Sequence, residues 1–233
     1  MIASKHAATV ILLRSEETGG FEVFLTRRPE GMAFLGGMYV FPGGNVRKED
    51  CAAGVIQRCQ GLSPTDARRI LGAQLTPSLA IGHWIAGIRE LYEEAGVLLA
   101  RRGDGKPAAN APSQMEREAL LAKSSSFEAL LRASGLFCDL SRVVYFSRWE
   151  TPPQFSIRFD TRFYLASLPD GEIPVINPRE VEDALWLSPD LALDLFNRGE
   201  LPMIFPTFAS LRTLADFERM ESVFREYQPS TGC

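Results

Sequence analysis

The sequence predicts one α/β domain, spanning residues 1–233 and carrying helical additions. Three observations predict it. β-Branched and aromatic runs are interleaved with helix-period segments along the chain. Two such runs near the N-terminus are parted only by a turn, which pairs them as adjacent strands. No internal repeat interrupts the pattern, and no linker is long enough to separate two domains.

The elements follow in order. "AATVILLR" (Ala7 to Arg14) and "FEVFLTRR" (Phe21 to Arg28) read as antiparallel strands about the turn "SEETGG". "MYVFPGG" is a short strand broken by Pro42 and two glycines. "LSPTDARRIL" starts a helix, with Ser63 as N-cap and Pro64 in the first helical position. Ser78 to Ala95 is helical: Ile81, Trp84, Ile85, Ile88, Leu91, Tyr92 and Ala95 gather on one broad face, with Glu90, Glu93 and Glu94 centred on the other. Gly96 suits the residue after the helix, and "VLLA" reads as a short strand. "RRGDGKPAANAPS" is a loop, and Met115 to Ala133 a helix. Strands are expected in "RVVYFSRWETP", "IRFDTRFYLASL" and "VEDALWLSP", and closing helices in "DLALDLFNRG" and "TFASLRTLADFE".

Composition excludes several classes of function. A formal charge of −4 supplies no basic field for capturing nucleic acid. Cys51, Cys59, Cys138 and Cys233 form no CxxC pair, so neither a structural zinc site nor a disulfide scaffold is expected. With His6 and His83 the only histidines, and His6 close to the N-terminus, a His-dependent serine or cysteine hydrolase is disfavoured. No apolar run approaches the roughly 20 residues of a membrane span. "ATVILL" is too short for a signal h-region, and the terminal "PSTGC" matches no targeting signal. The expected location is cytoplasmic.

The segment "RELYEEAG", Arg89 to Gly96, stands out. Its i, i+3 and i+4 spacings bring Glu90, Glu93 and Glu94 side by side at the negative end of a helix macrodipole, which costs free energy. One reading is a solvated helix face with Arg89 paired to Glu93. The other is a site for a hard cation such as magnesium, which takes oxygen ligands and favours carboxylates together with substrate phosphates.

With "FPGG" upstream (Phe41 to Gly44), this segment resembles the Nudix box, G-x5-E-x7-R-E-U-x-E-E-x-G-U, where U is bulky and apolar. Arg89, Glu90, Leu91, Tyr92, Glu93, Glu94, Ala95, Gly96 and Val97 match the second half without a gap. The first half departs: after five intervening residues from Gly44 stands Asp50 where the family has Glu, with Glu49 as the alternative occupant, and thirty-eight residues rather than seven separate Asp50 from Arg89. An insertion over about 51–78 is tolerable because closure entropy grows slowly with length. The resemblance implies an α/β/α sandwich with a mixed β-sheet and helical insertions. It implies that Glu93 and Glu94 bind Mg²⁺ or Mn²⁺ with help from a Gly43 or Gly44 carbonyl. Glu90 would be a further ligand or the base for the attacking water, and Arg89 would hold the cluster's geometry.

"LTRRPEGMAFLGGMYVFPGG" is similar to the signature of the coenzyme A diphosphatase branch, roughly L-T-x-R followed by G-x3-F-P-G-G. Leu25, Thr26 and Arg28 fit its first part, and Gly37, Phe41, Pro42, Gly43 and Gly44 its second. A further arginine of that signature would fall at Ala33 and is missing. The split box, "WETP", "RFDTRFYLA" and the late Pro206–Thr207 resemble coenzyme A Nudix enzymes with a long insertion. The substrate implied is a nucleotide diphosphate of the coenzyme A kind, cleaved to 3′,5′-ADP and a 4′-phosphopantetheine moiety, with Arg28, Phe41, Gly44 and Arg158 as substrate contacts. Arg162 is a third candidate phosphate ligand, although each arginine also reads as a strand-end residue. Trp149 and Phe159 read as core rather than as adenine platforms. Glu180 and Glu182 lie where many members place a late acidic residue. Family habit implies a homodimer. The rivals are a diphosphatase for ADP-ribose or a dinucleotide, and a non-catalytic nucleotide sensor.

Overall fold

The computed structural model describes residues 3–16, 19–106 and 112–228. The strands are β1 (Lys5–Ser15), β2 (Phe21–Arg27), β3 (Tyr39–Val40), β4 (Gly43–Asn45), β5 (Cys59–Gln60), β6 (Ala100–Arg102), β7 (Leu136–Asp139), β8 (Val144–Glu150), β9 (Phe159–Ser167) and β10 (Asp183–Leu187). The helices are α1 (Ala53–Ile56), α2 (Pro64–Leu71), α3 (Pro77–Ala95), α4 (Gln114–Leu121), α5 (Phe127–Ala133), α6 (Pro189–Asn197), α7 (Phe205–Leu214) and α8 (Met220–Tyr227).

Seven strands form a mixed sheet in the order β10-β2-β1-β9-β8, with β3 added to β2 and β4 to β1. β1 and β9 run parallel and the other pairs antiparallel. The parallel pair explains why "TVILL" is apolar without alternation: a central strand is buried on both faces. Ala8, Val10 and Leu12 enter one core with α3, whereas Ile11 and Leu13 enter a second core beneath α6, α7 and α8. This is the α/β/α sandwich expected. A separate three-stranded sheet, β5-β7-β6, closes the first core.

Local chemistry places most helix starts. The Ser63 hydroxyl accepts from the Asp66 amide at 3.1 Å, with Pro64 opening α2 as expected. Thr76 caps α3 by accepting from Leu79 N at 3.2 Å, so the helix starts at Pro77, one residue earlier than expected.

Four expectations need correction. The helix expected over Met115–Ala133 is two helices. Lys123 adopts a positive φ of 56°, which ends α4, and Ser126 caps α5 by accepting from Ala129 N. The strand expected at Val97–Ala100 begins only at Ala100, and the buried Val97–Leu99 is an extended connection. The insertion contains β5 as well as α1 and α2. α3 has no solvated acidic face: every residue from Ala80 to Ala95 is buried, because the sheet lies on one side and the insertion on the other. Cys51, Cys59 and Cys138 are free thiols. Residues 107–111 of the expected loop and the terminal "PSTGC" lie outside the described residues. No described helix is long and apolar enough to cross a membrane.

Candidate active site

The site is built on the last two turns of α3. A helix ends with four carbonyls lacking intrahelical partners, and here each has a donor. Gly96, in the left-handed conformation at φ 72°, donates its amide to the Tyr92 carbonyl at 3.0 Å. The buried Arg117 reaches across from α4, donating Nε to the Tyr92 carbonyl and Nη2 to the Glu93 carbonyl, both at 3.1 Å. Backbone amides of Asn177 and Val175 donate to the Glu94 and Ala95 carbonyls, each at 2.8 Å. A cation thus sits at the negative pole of the helix, and an incoming loop is fastened there. Together they offset part of the cost of the acids in the last turns.

The acids are Glu90, Glu93 and Glu94, each at most 5% exposed. Arg89, also buried, lies beside them with all five donor hydrogens used. Its Nε and Nη2 donate to Asp50 at 2.8 and 2.9 Å, and Nη2 also donates to the Asn45 carbonyl at 2.9 Å. Its Nη1 donates to Glu90 Oε1 at 2.7 Å and to Glu93 Oε1 at 3.2 Å. Burial alone would depress the Arg89 pKa, but these carboxylates hold it above its ordinary value. Asp50, on the far side of the insertion, therefore returns to Arg89, and it rather than Glu49 occupies that place.

Glu93 is gripped a second time. Arg47 donates Nη1 and Nη2 to its two oxygens at 2.9 Å each, a bidentate pair. Glu93, expected as a metal ligand, is thereby engaged by two guanidinium groups. Carboxylate oxygens of Glu90, Glu94 and Glu180 instead converge within 4.8 Å of one another. Burial raises the Glu94 carboxyl well above the usual range, with Glu90 and Glu180 adding to the shift, while Arg28 and the Gly43 amide oppose it. Glu90 is raised for the same first reason, against the pull of Arg89. Glu180 comes from the loop that caps α3. Glu182 faces Arg27 at 3.7 Å.

The two glycines of "FPGG" permit this packing. A Cβ on Gly44 would stand 2.6 Å from the Glu90 carboxyl, and one on Gly43 would stand 2.5 Å from the Ala8 carbonyl oxygen. The Gly43 amide points to Glu94 Oε2 at 3.4 Å.

The expected substrate contacts divide. Arg28 faces the acids: its charge acts on Glu94, and its Nε donates to the Phe34 carbonyl at 3.2 Å. Three others are engaged within the protein. Phe41 is 3% exposed and packs in the second core against Phe163, so it presents no face to a ligand. Arg158 donates to the Thr151 carbonyl and to Glu150, both at 3.1 Å, along the β8 edge. Arg162 is fully buried and ion-paired with Asp160. His83 is buried, and burial, with the nearby Arg162 charge adding to it, pushes its pKa down to about 3, leaving it neutral in the core.

Sequence reasoning did not single out Arg47 or Arg117. An arginine three residues beyond Gly44 carries no local signature, and the bonds of Arg117 cross more than twenty residues.

The relatives agree with this architecture. A NUDIX hydrolase structure from Alicyclobacillus acidocaldarius superposes with a TM-score of 0.80 at 30% identity, covering 97% of each chain. The acyl-coenzyme A diphosphatase NUDT19 of Gallus gallus is 27% identical over 91% of this chain and 66% of its own length. The Homo sapiens protein of that name is 27% identical over 88% and 64%. The chain thus spans just under two thirds of the curated relatives' length. The profile of the NUDT19 Nudix domain matches residues 4–214, and the chain belongs to that family.

Proposed function

We propose that this chain hydrolyses a diphosphate bond in a nucleotide derivative with Mg²⁺ or Mn²⁺. We further propose coenzyme A or an acyl-coenzyme A as substrate, giving 3′,5′-ADP and the (acyl-)4′-phosphopantetheine moiety. The observation that carries the reading is the convergence of Glu90, Glu94 and Glu180 within 4.8 Å, the first two buried and the third half-buried, in a network where these acids with Glu93 and Asp50 outnumber Arg28, Arg47 and Arg89. An oxygen-only donor set of this charge fits a hard divalent cation. Glu90, Glu94 and Glu180 would hold it. Bound there, the ion supplies neutralisation of the diphosphate charge and a more acidic water.

The other roles belong to the chain. Arg89 and Arg47 hold Glu93 and orient Glu90, so the cluster keeps its shape before substrate arrives. Arg28 is the cation on the Glu94 side and is suited to a phosphate oxygen. Glu90 Oε1 is held by Arg89, which fixes this carboxylate in place either as a ligand or as the base for the attacking water. The name those relatives carry, acyl-coenzyme A diphosphatase, supports the choice of substrate.

The test is hydrolysis of coenzyme A with excess Mg²⁺ or Mn²⁺, comparing the natural protein with Glu94→Gln and resolving products by mass. Release of 3′,5′-ADP that disappears in the variant is the expected result. Turnover of ADP-ribose instead would keep the metal site and discard the coenzyme A reading. Tight nucleotide binding with no hydrolysis under either metal would make the chain a sensor.

A further inference from the structure

Beside the acidic cluster lies a second concavity with the opposite character. It has a volume of about 320 Å³, and Lys5, Asn45, Arg47, Lys48 and Leu79 are among the residues lining it. Its cationic side chains come from two elements that pair with each other. Lys5 and His6 start β1, and Asn45 to Lys48 leave β4, whose register sets Ala7 opposite Asn45. No aspartate or glutamate lines it. Most arginines of this protein have carboxylate partners, but among the described residues the Lys5 and Lys48 side chains have none, and both residues are exposed. A chain with a formal charge of −4 therefore concentrates three cations around one small hollow.

The hollow borders the site and shares Arg47 with it. Asn45 follows Gly44, whose α-carbon abuts the Glu90 carboxyl, and the Asn45 carbonyl accepts from Arg89. Arg47 belongs to both: its Nη atoms hold Glu93, while its side chain, 37% exposed, forms part of the wall. The far wall at Leu79 is eleven residues before Glu90 on α3, or about 16 Å along the helix at its usual rise. A group in the hollow would thus lie within a nucleotide's length of the carboxylates. The volume is at the low end of ligand sites, which run from about 300 Å³ upward. That leaves room for a phosphorylated sugar and excludes a whole cofactor.

We infer that the hollow framed by Lys5, Arg47 and Lys48 is a phosphomonoester subsite, taking the phosphate that the substrate carries on its ribose, apart from the diphosphate being cleaved. The inference rests on the proposed function, and it explains how a diphosphatase of this kind would distinguish a ribose-phosphorylated substrate from one lacking that group. Lysine ammonium groups act here as point charges on a dianion. Val46 and Leu79 give the sugar an apolar wall.

The experiment uses the double substitution Lys5→Gln with Lys48→Gln, both exposed positions outside the core and outside the Arg89 network. Two substrates are compared, coenzyme A and 3′-dephospho-coenzyme A. The expected result is a KM for coenzyme A raised about tenfold with kcat little changed, and unaltered kinetics for the dephospho compound, since losing one or two charge-assisted contacts costs at least that much. Calorimetry with 3′,5′-ADP and with 5′-AMP reads the subsite without turnover: the variant should lose affinity for the first alone. That result in a protein that does not cleave coenzyme A would keep the subsite and discard the proposed reaction. Loss of inorganic phosphate binding, with both coenzyme A forms affected equally, would assign the hollow to a free anion and overturn the substrate assignment. Equal binding and kinetics in variant and natural protein would overturn the subsite altogether.

Discussion

Helix α3 buries ionisable groups at two levels, and they are handled differently. At His83 the ring is fully enclosed, its Nδ1 lies 3.1 Å from the Ala7 carbonyl oxygen, and burial keeps it uncharged. Two turns later, Glu90, Glu93 and Glu94 are as deeply enclosed but meet Arg89 and Arg47, with Glu94 and Glu180 left facing Glu90. The first level carries no net charge, although Nε2 of the ring has no hydrogen-bond partner among the described residues. The second carries more negative charge than its partners cancel, and burying uncompensated charge is costly. The difference teaches where to look for function: burial of an ionisable group does not mark a site, but burial without full compensation does.

The comparison breaks most visibly at Arg89. Replacing it with Met should cost about 3–5 kcal/mol, since Asp50 and Glu93 would be left buried and short of a partner, and urea denaturation would read this. A loss below about 1 kcal/mol would mean that the network is dispensable. At Glu94 the expected order reverses. Glu94→Gln should lower diphosphate hydrolysis on the order of 100-fold or more, while the metal-free protein keeps or gains stability because like charges no longer face one another. A variant that unfolds instead would make Glu94 structural.

The pH dependences sharpen the contrast because they have opposite signs. Glu90 and Glu94 are raised in the fold, so their contribution to the metal-free protein is fully present below the unfolded value of 4.5 and is lost as pH rises through their folded values. A cation competes with those protons. Excess Mg²⁺, at about 100 times its dissociation constant, should therefore stabilise by about 2.7 kcal/mol near pH 8 and by less near pH 5.5, as thermal unfolding would register. An equal shift at both pH values would count against the carboxylate trio as the binding site.

His83 runs the other way, since its folded pKa of about 3 lies below the unfolded 6.5. Its contribution is present above pH 6.5 and is lost as pH falls toward 3, by about 2 kcal/mol between pH 6.5 and 5. Denaturation across that range should show this slope in the natural protein and not in His83→Asn.

Much of this was legible from the residues. Ser63 with Pro64, Gly96 after the charged turns, and the apolar runs on either side of "SEETGG" place their elements because the signals are local. Arg89 and its neighbouring acids were legible as a constellation, and Asp50 only as one of two candidates, with Glu49, for the first acid of the box; its pairing with Arg89 was not. What was missed depends on partners far along the chain. Nothing in "RELYEEAG" indicates that the insertion will lie over the acids and bury them, and the resemblance that named Glu180 beside Glu182 did not show that a loop fastened through Asn177 and Val175 delivers the first alone. Two misses had local signals. Ser126 is a good cap inside the segment read as one helix, and Met220, Val223, Phe224 and Tyr227 have the spacing of the amphipathic α8.

The enclosure of α3 on every side bears on motion. Amides in such an element exchange with solvent only when the domain opens as a whole, so those of Ile85 to Leu91 should be among the slowest in the protein. The acids are thus carried by the segment that opens last, and accommodation of an arriving ligand is left to the loops at the rim: residues 28–38, which bring Arg28, and residues 168–182, which bring Glu180.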